Sequence, residues 1–209
     1  MKYSAFYSDV LPHLAADPSE PVLDNALRNT AIEFFRESWA WREYADPISV
    51  EANTATYDVE LPPGSDIVTV LSVTLDGRPL DPSTADDLDR IRPRWMTETG
   101  VPKQFTMTNS RQVILAPVPD LNYVDGLVMW FALMPTRTAS SIPDWAANLY
   151  WDSIVTGTMA YLMEMPKKPW SDEQEGPRRR RAFNAAIASA RESAVRGLAR
   201  APTRTAPQH

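Results

Sequence analysis

The chain has 209 residues, 44% of them hydrophobic, enough for one large domain or two small ones with a real core. It has no cysteine, which excludes disulfides, thiol catalysis and cysteine-based zinc sites, and no apolar run near the ~18 residues of a membrane span. Net charge is −6 but unevenly spread: residues 178–209 hold eight arginines and one acid, Glu192, so this end carries +7 and the remaining 177 residues −13. Such an end either meets an acidic partner or forms a solvated basic helix face. Nineteen prolines against seven glycines point to fixed corners rather than flexible hinges. The opening MKYSAFYSDVLPHL lacks a positive start followed by an apolar core and is not read as a signal peptide.

Residues 4–16 predict a short helix limited by Pro12. Asp17-Pro18-Ser19-Glu20 then reads as a helix start, with Asp17 capping, Pro18 in the first turn and Glu20 completing a capping box. Leu23, Leu27, Thr30/Ala31, Phe34 and Ser38, joined by Phe35 and Trp39, share one face of a helix expected to reach about Tyr44. Asp46-Pro47 ends it.

From 47 to 138 the pattern changes. Ile48 and Val50, then Tyr57, Val59 and Leu61, alternate as half-buried strands do, and Pro62-Pro63-Gly64 is a turn. Ile67 to Leu75 forms a long strand, apolar on both sides in part, and Asp76-Gly77 turns it into Arg78-Pro79-Leu80. Ser83–Arg90 suits a short helical turn. Phe105 and Met107, then Val113–Leu115, flank a turn at Asn109-Ser110, and Val128–Leu133 is the last and most hydrophobic strand. This predicts an antiparallel β-sandwich or barrel inserted between helices.

Helical spacing resumes at Pro143-Asp144-Trp145 and runs to about 165, stopped by Pro166 and Pro169. Ser171 and Gln174 form a capping-box pattern for a last helix over 171–198. Gly176-Pro177 is awkward there: either the helix starts near Pro177 or its first turn is distorted. Phe183, Ala186/Ile187, Ala190, Ala194 and Leu198 make a narrow apolar stripe suited to close helix packing. Trp170 is expected to pack at the corner between the last two helices with Trp145 and Pro169. The segment after Ala201 reads as an extended tail. The layout is thus α+β: helical segments 1–45 and 139–198 as one domain, an inserted β domain over 46–138, and a tail over 199–209.

Tests for chemistry return little. The histidines, His13 and His209, stand near opposite ends, which argues against a Ser-His-Asp triad or a histidine metal site. Asp86, Asp87 and Asp89 lack the glycine and distal glutamate of a calcium loop and read as a solvated face. There is no phosphate-cradling glycine motif. Glu33 and Glu37, one helical turn apart, suit acid–base work or, more simply, an acidic surface. Arg90, Arg92 and Arg94 with Trp95 suit nucleic-acid stacking or an exposed loop making subunit contacts. The Arg178–Arg181 run suits DNA phosphate, on an otherwise acidic body. No catalytic residue, cofactor or metal is assigned.

An ordered set of motifs carries a resemblance over roughly residues 5–195. It comprises Asp46-Pro47-Ile48, Tyr57, Leu61-Pro62-Pro63-Gly64, Leu75-Asp76-Gly77-Arg78-Pro79-Leu80, Trp95, Thr99-Gly100-Val101-Pro102 and Leu115-Ala116-Pro117-Val118-Pro119-Asp120. The Pro143-Asp144-Trp145 helix start and the Lys168-Pro169-Trp170-Ser171-Asp172 corner complete it. The set resembles the head–tail adaptor (connector) proteins of tailed bacteriophages, including the tail tubular protein A type. The break at Gly176-Pro177 departs from the continuous last helix of that family.

The resemblance implies a structural virion protein: a helical bundle carrying a β-sandwich, assembled as a ring, typically twelve copies, under the portal protein. The ring extends the DNA channel used in genome ejection and offers a platform to the next tail or head-completion protein. It also implies that the C-terminal end inserts into the portal, here through Arg196, Leu198, Arg200, Pro202, Arg204 and Pro207. Double-stranded DNA would pass an acidic lumen without sequence-specific binding, and no membrane is involved. The protein would be made in the bacterial host cytoplasm and reside at the head–tail junction. The alternatives are a nucleic-acid-binding packaging factor using the basic C-terminal helix, and a wall-degrading hydrolase built on Glu33 and Glu37.

Overall fold

The computed structural model describes residues 1–197; Leu198 and the tail expected over 199–209 lie outside the described residues. The helices are α1 (Tyr7–Val10), α2 (Glu20–Ser38), α3 (Ala85–Ile91), α4 (Asp144–Leu149), α5 (Trp151–Met163) and α6 (Glu175–Arg196). Short 3-10 turns, Tyr3–Phe6 and Leu11–His13, flank α1. The strands are β1 (Arg42–Tyr44), β2 (Ile48–Val50), β3 (Thr56–Asp58), β4 (Ser65–Leu75), β5 (Arg78–Pro79), β6 (Asp81–Pro82), β7 (Thr99–Gly100), β8 (Gln104–Asn109), β9 (Gln112–Ala116), β10 (Val118–Pro119) and β11 (Tyr123–Pro135). The fold is α+β, and among the described residues no sheet closes into a barrel, which sets the barrel alternative aside. The chain divides into two compact units, residues 42–132 and the flanking segments 1–41 and 133 onward.

In the flanking-segment unit, α2, α5 and α6 pack on one another. Helix α2 starts later than its sequence suggests. Ser19, in extended conformation, precedes it, and its carbonyl accepts the N–H groups of Val22 and Leu23 at 2.9 and 3.1 Å. Asp17 therefore does not cap it; Pro21 sits in the first turn, where its missing N–H costs nothing. The helix also ends early. Trp39 is left-handed (φ 54°) and its N–H closes on the Phe35 carbonyl, while Arg42–Tyr44 leave the helix to pair with β11. A strand partner satisfies those backbone groups, and that long-range pairing overrides the local helical pattern.

The helix expected over 143–165 is broken at Tyr150 (φ −117°, ψ 21°), which separates α4 from α5 and sets its ring 4.9 Å from that of Phe34. Leu23, Ala26, Leu27, Ala31, Phe34 and Phe35 of α2 are buried, as are Ile154, Gly157, Ala160 and Leu162 of α5 and Phe183 of α6. Phe34 and Phe183 approach to 6.2 Å between ring centres. Gly157 is the tightest point. A Cβ there would fall 2.5 Å from the Phe183 ring and 2.6 Å from the Thr30 methyl, and both neighbours are buried. Only glycine lets α5 come this close to α2 and α6.

In the unit spanning 42–132, one sheet has the order β1-β11-β4-β5, with β2 also on β11; a second has the order β3-β9-β8-β6; β7 and β10 form a short parallel pair. Asp76 and Gly77 both have positive φ (50° and 73°), the backbone of a type I′ hairpin between β4 and β5. Pro62-Pro63-Gly64 turns as expected, with the Ser65 N–H on the Pro62 carbonyl at 3.1 Å. The buried residues alternate along the strands: Val73 and Leu75, Phe105, Val113 and Leu115, Leu127, Met129 and Phe131. The Tyr57 hydroxyl, also inside, donates to the Thr54 carbonyl at 2.6 Å.

Replacing Gly157 by Ala is expected to destabilise the protein by about 1–3 kcal/mol through overpacking. A chemical-denaturation midpoint measures it. Combining it with Phe183→Leu should cost less than the sum of the two single changes, because the ring is what the new methyl meets.

Candidate functional site

The corner between α5 and α6 is built by side chains that return to the backbone. The Ser171 hydroxyl donates to the Met165 carbonyl and accepts the Lys168 N–H at 2.9 Å. Lys167 takes a left-handed conformation (φ 59°), and the Asp172 N–H reaches the Met163 carbonyl at 2.9 Å. The Asp172 carboxylate accepts the N–H groups of Gln174 and Glu175 at 2.9 and 2.8 Å, and these bonds hold its carboxyl below the usual range. The cap is thus Asp172 and not the expected Ser171–Gln174 box; Ser171 serves the corner instead. Pro177 is the third residue of α6, inside the turn whose N–H groups have no intrahelical partner, so the helix starts at Glu175 undisturbed.

Pro169 is exposed and Trp170 half-buried in this corner, and the Trp170 indole N–H is buried without a hydrogen-bond partner. Trp145, expected to pack with them, stands in the first turn of α4 and is 44% exposed.

Arg180 ties the three long helices of this unit together. Its Nη1 donates to the Glu33 carboxylate at 3.2 Å, and its Nη2 to Glu164 Oε2 at 3.0 Å. Burial works against its charge, but the two carboxylates outweigh that and raise its pKa further. Farther along α6, Arg191 donates to the Glu37 carbonyl at 3.1 Å and lies 4.4 Å above the Trp39 ring. The basic run is therefore largely committed inside the chain. Arg178 and Arg179 pair with Glu175 at 3.1 and 3.0 Å, Arg180 is held as described, and Arg181 is exposed. DNA phosphate would have to displace those pairs. Glu33 and Glu37 face arginines too, Arg180 and Arg36, rather than forming a lone carboxylate pair.

Of the residues assigned to the portal, Arg196 is described: it ends α6, half exposed, paired with Glu192 at 2.8 Å. Leu198, Arg200, Pro202, Arg204 and Pro207 lie outside the described residues, as does His209. His13 closes the second 3-10 turn. Trp95, read with Arg90, Arg92 and Arg94 either as a nucleic-acid stacking residue or as part of an exposed loop making subunit contacts, is itself buried against Leu88 and Ala116, and its indole donates to Asp89 at 2.7 Å. Asp87 accepts from the Thr84 hydroxyl and Arg90, and Asp89 ties α3 to Trp95. Among the described residues there is no group of three or more potential ligands placed to hold a metal, and no helix long and apolar enough to cross a membrane.

Two contributors went unrecognised in the sequence. Gly157 had a signal, a glycine in the middle of a helical pattern, which usually marks close packing. Arg180 had none, because its partners lie 147 and 16 residues away.

The corner is thus stapled by its own side chains, and ion pairs within the chain hold three of the four consecutive arginines of α6. In comparison with protein families, the model of the SU10 adaptor protein family matches residues 1–208. The chain belongs to the SU10 adaptor protein family. It is a bacteriophage structural adaptor, of a family not known as enzymes, and a virion component of the head–tail junction. Such an adaptor associates with other head and tail proteins of the phage. No curated protein matches the chain.

Two predictions concern this adaptor's corner. Arg180→Gln leaves two half-buried carboxylates without their cation, and the expected cost is about 1–2 kcal/mol at neutral pH. A melting-temperature comparison with the parent measures it. Asp172→Asn removes a carboxyl whose pKa folding depresses. Its stabilisation is present above the unfolded carboxylate pKa and lost as pH falls through the folded one. The variant should therefore melt lower than the parent at pH 7 and equal it in strong acid.

Proposed function

We propose that this adaptor forms a ring, of about twelve copies by its resemblance to tailed-phage connectors, beneath the portal. The ring prolongs the DNA channel and presents a platform to the next tail or head-completion protein. In this reading the helical elements form a bundle and the strand-rich insert a β-sandwich, the layout of that family. The observation that carries it is the family match over residues 1–208, read with the charge distribution: a −13 body and a +7 end. An acidic channel wall lets a phosphate backbone slide past without adhering. The basic end, from Arg196 through Leu198, Arg200, Pro202, Arg204 and Pro207, is the portal anchor. Arginines beyond α6 have no acid near them in sequence after Glu192, which leaves them for an acidic partner surface.

Truncation after Gly197 tests the anchor. The shortened chain should keep its melting temperature, since no described contact is removed, yet no longer co-sediment with adaptor-deficient heads. Co-sedimentation equal to that of the full chain removes residues 198–209 from the portal contact. Electron microscopy of the full-length complex decides the ring: copies stacked on the portal around a continuous channel support it, and a distal or lateral position overturns it.

A further inference from the structure

The unit spanning 42–132 carries two unlike surfaces at the two ends of α3. At the N-terminal end is a groove of about 890 Å³ between β4 and β8. Leu71, Val73, Leu80, Phe105 and Met107 line it, and its one charged lining residue is Asp86. Asp81 stands exposed in the neighbouring β6. Two strand edges border the groove. β5 pairs with β4 only at Thr74 and Leu75, and β6 pairs with β8 only at Gln104 and Phe105. Beyond those residues, no strand among the described residues continues along these sides of β4 and β8. From Asp66 to Leu71 every residue of β4 is half-buried, on both faces of the strand. An apolar strand left so open is a surface that native proteins ordinarily cover.

At the C-terminal end of α3 is a knob of opposite character. Ile91 and Met96 are 61% and 62% exposed, with Arg90 and Arg94 exposed beside them and Arg92 half-buried. The knob is held rigid from beneath. Trp95 is buried on Leu88 and Ala116, its indole bonds to Asp89, and its N–H closes on the Arg92 carbonyl at 2.8 Å. The Glu98 N–H closes on Arg94 at 2.7 Å. Residues 42–132 contain seven basic and fourteen acidic side chains, and three of those seven bases fall within 90–94. A basic apolar knob on an acidic unit is complementary to an acidic-rimmed apolar groove. Seven helical residues, about 10 Å of rise, separate the two.

We propose that residues 90–96 of one copy seat in the β4/β8 groove of a second copy, Ile91 and Met96 entering the apolar floor and Arg92 and Arg94 meeting Asp81 and Asp86. Groove and knob belong to opposite ends of one helix, so the contact joins unlike patches and repeats from copy to copy. Such a heterologous contact closes into a ring when its rotation allows. The inference rests on the adaptor reading above, and it names the surfaces that join neighbouring copies.

The chain has no cysteine of its own, which makes a disulfide test clean. Leu71→Cys and Met96→Cys copies are prepared separately, mixed in equal amounts, assembled on adaptor-deficient heads and oxidised mildly. The mixture should yield a disulfide-linked dimer, and each variant alone should not. Variants that melt like the parent, attach to heads and give no mixed dimer overturn the proposal. A charge exchange gives a second readout. Arg94→Glu and Asp86→Arg should each leave about tenfold fewer copies bound, and the double variant should recover them. A double variant no better than either single change overturns the pairing. Photocrosslinking from position 71 to a different head or tail protein assigns the groove to that partner instead. Failure of the unmodified chain to attach to heads at all falls on the adaptor reading itself, a result distinct from attached copies that do not cross-link.

Discussion

Everything described in the flanking-segment unit depends on how close α5 can approach α2 and α6, and that closeness rests on a missing side chain. With Gly157 facing the Phe183 ring and the Thr30 methyl, three helices meet without a gap. The contact sets where α6 lies, and so where the corner before it must turn. Lys167 in its left-handed conformation, the Ser171 hydroxyl and the Asp172 cap all serve that turn. A larger residue at 157 would move Phe183 out of a fully buried site, and the corner would lose the geometry its hydrogen bonds require.

The Arg180 guanidinium is the polar counterpart of this packing. One cation satisfies carboxylates from α2 and from the end of α5, so the charge of the basic run is spent on internal cohesion. The net charge of a segment says how much charge it carries, not where the charge is directed. Here three of the four consecutive arginines answer acids of their own unit. Under the portal-anchor proposal, the arginines nearer the C-terminal end are the ones left for a partner.

The α3 segment shows the same economy. A buried tryptophan between an exposed arginine and an exposed methionine fixes the loop's backbone while leaving its neighbours outside. Rigid presentation lowers the conformational entropy lost when such a surface is covered. The groove at the other end of the helix is bordered by strand edges that end their pairing after two residues. Within one short element the chain therefore keeps both an exposed apolar loop and an apolar groove.

Periodicity and turn chemistry were legible in the sequence. Apolar runs and alternation placed β4, β8, β9 and β11, Asp76-Gly77 marked its hairpin, and the ordered Pro, Gly and Trp motifs pointed to the adaptor family. These signals are local: a residue's preference for a helix, a strand or a positive φ is written in its own covalent structure and near neighbours. The tertiary structure decided the rest. It ended α2 at Ser38 because β11 offers Arg42–Tyr44 a pairing partner, and it broke the helix at Tyr150. It formed two-residue strands too short to leave a pattern, buried Trp95, and gave Arg180 its acids. Each of these outcomes depends on groups far apart along the chain, whose meeting no local pattern encodes.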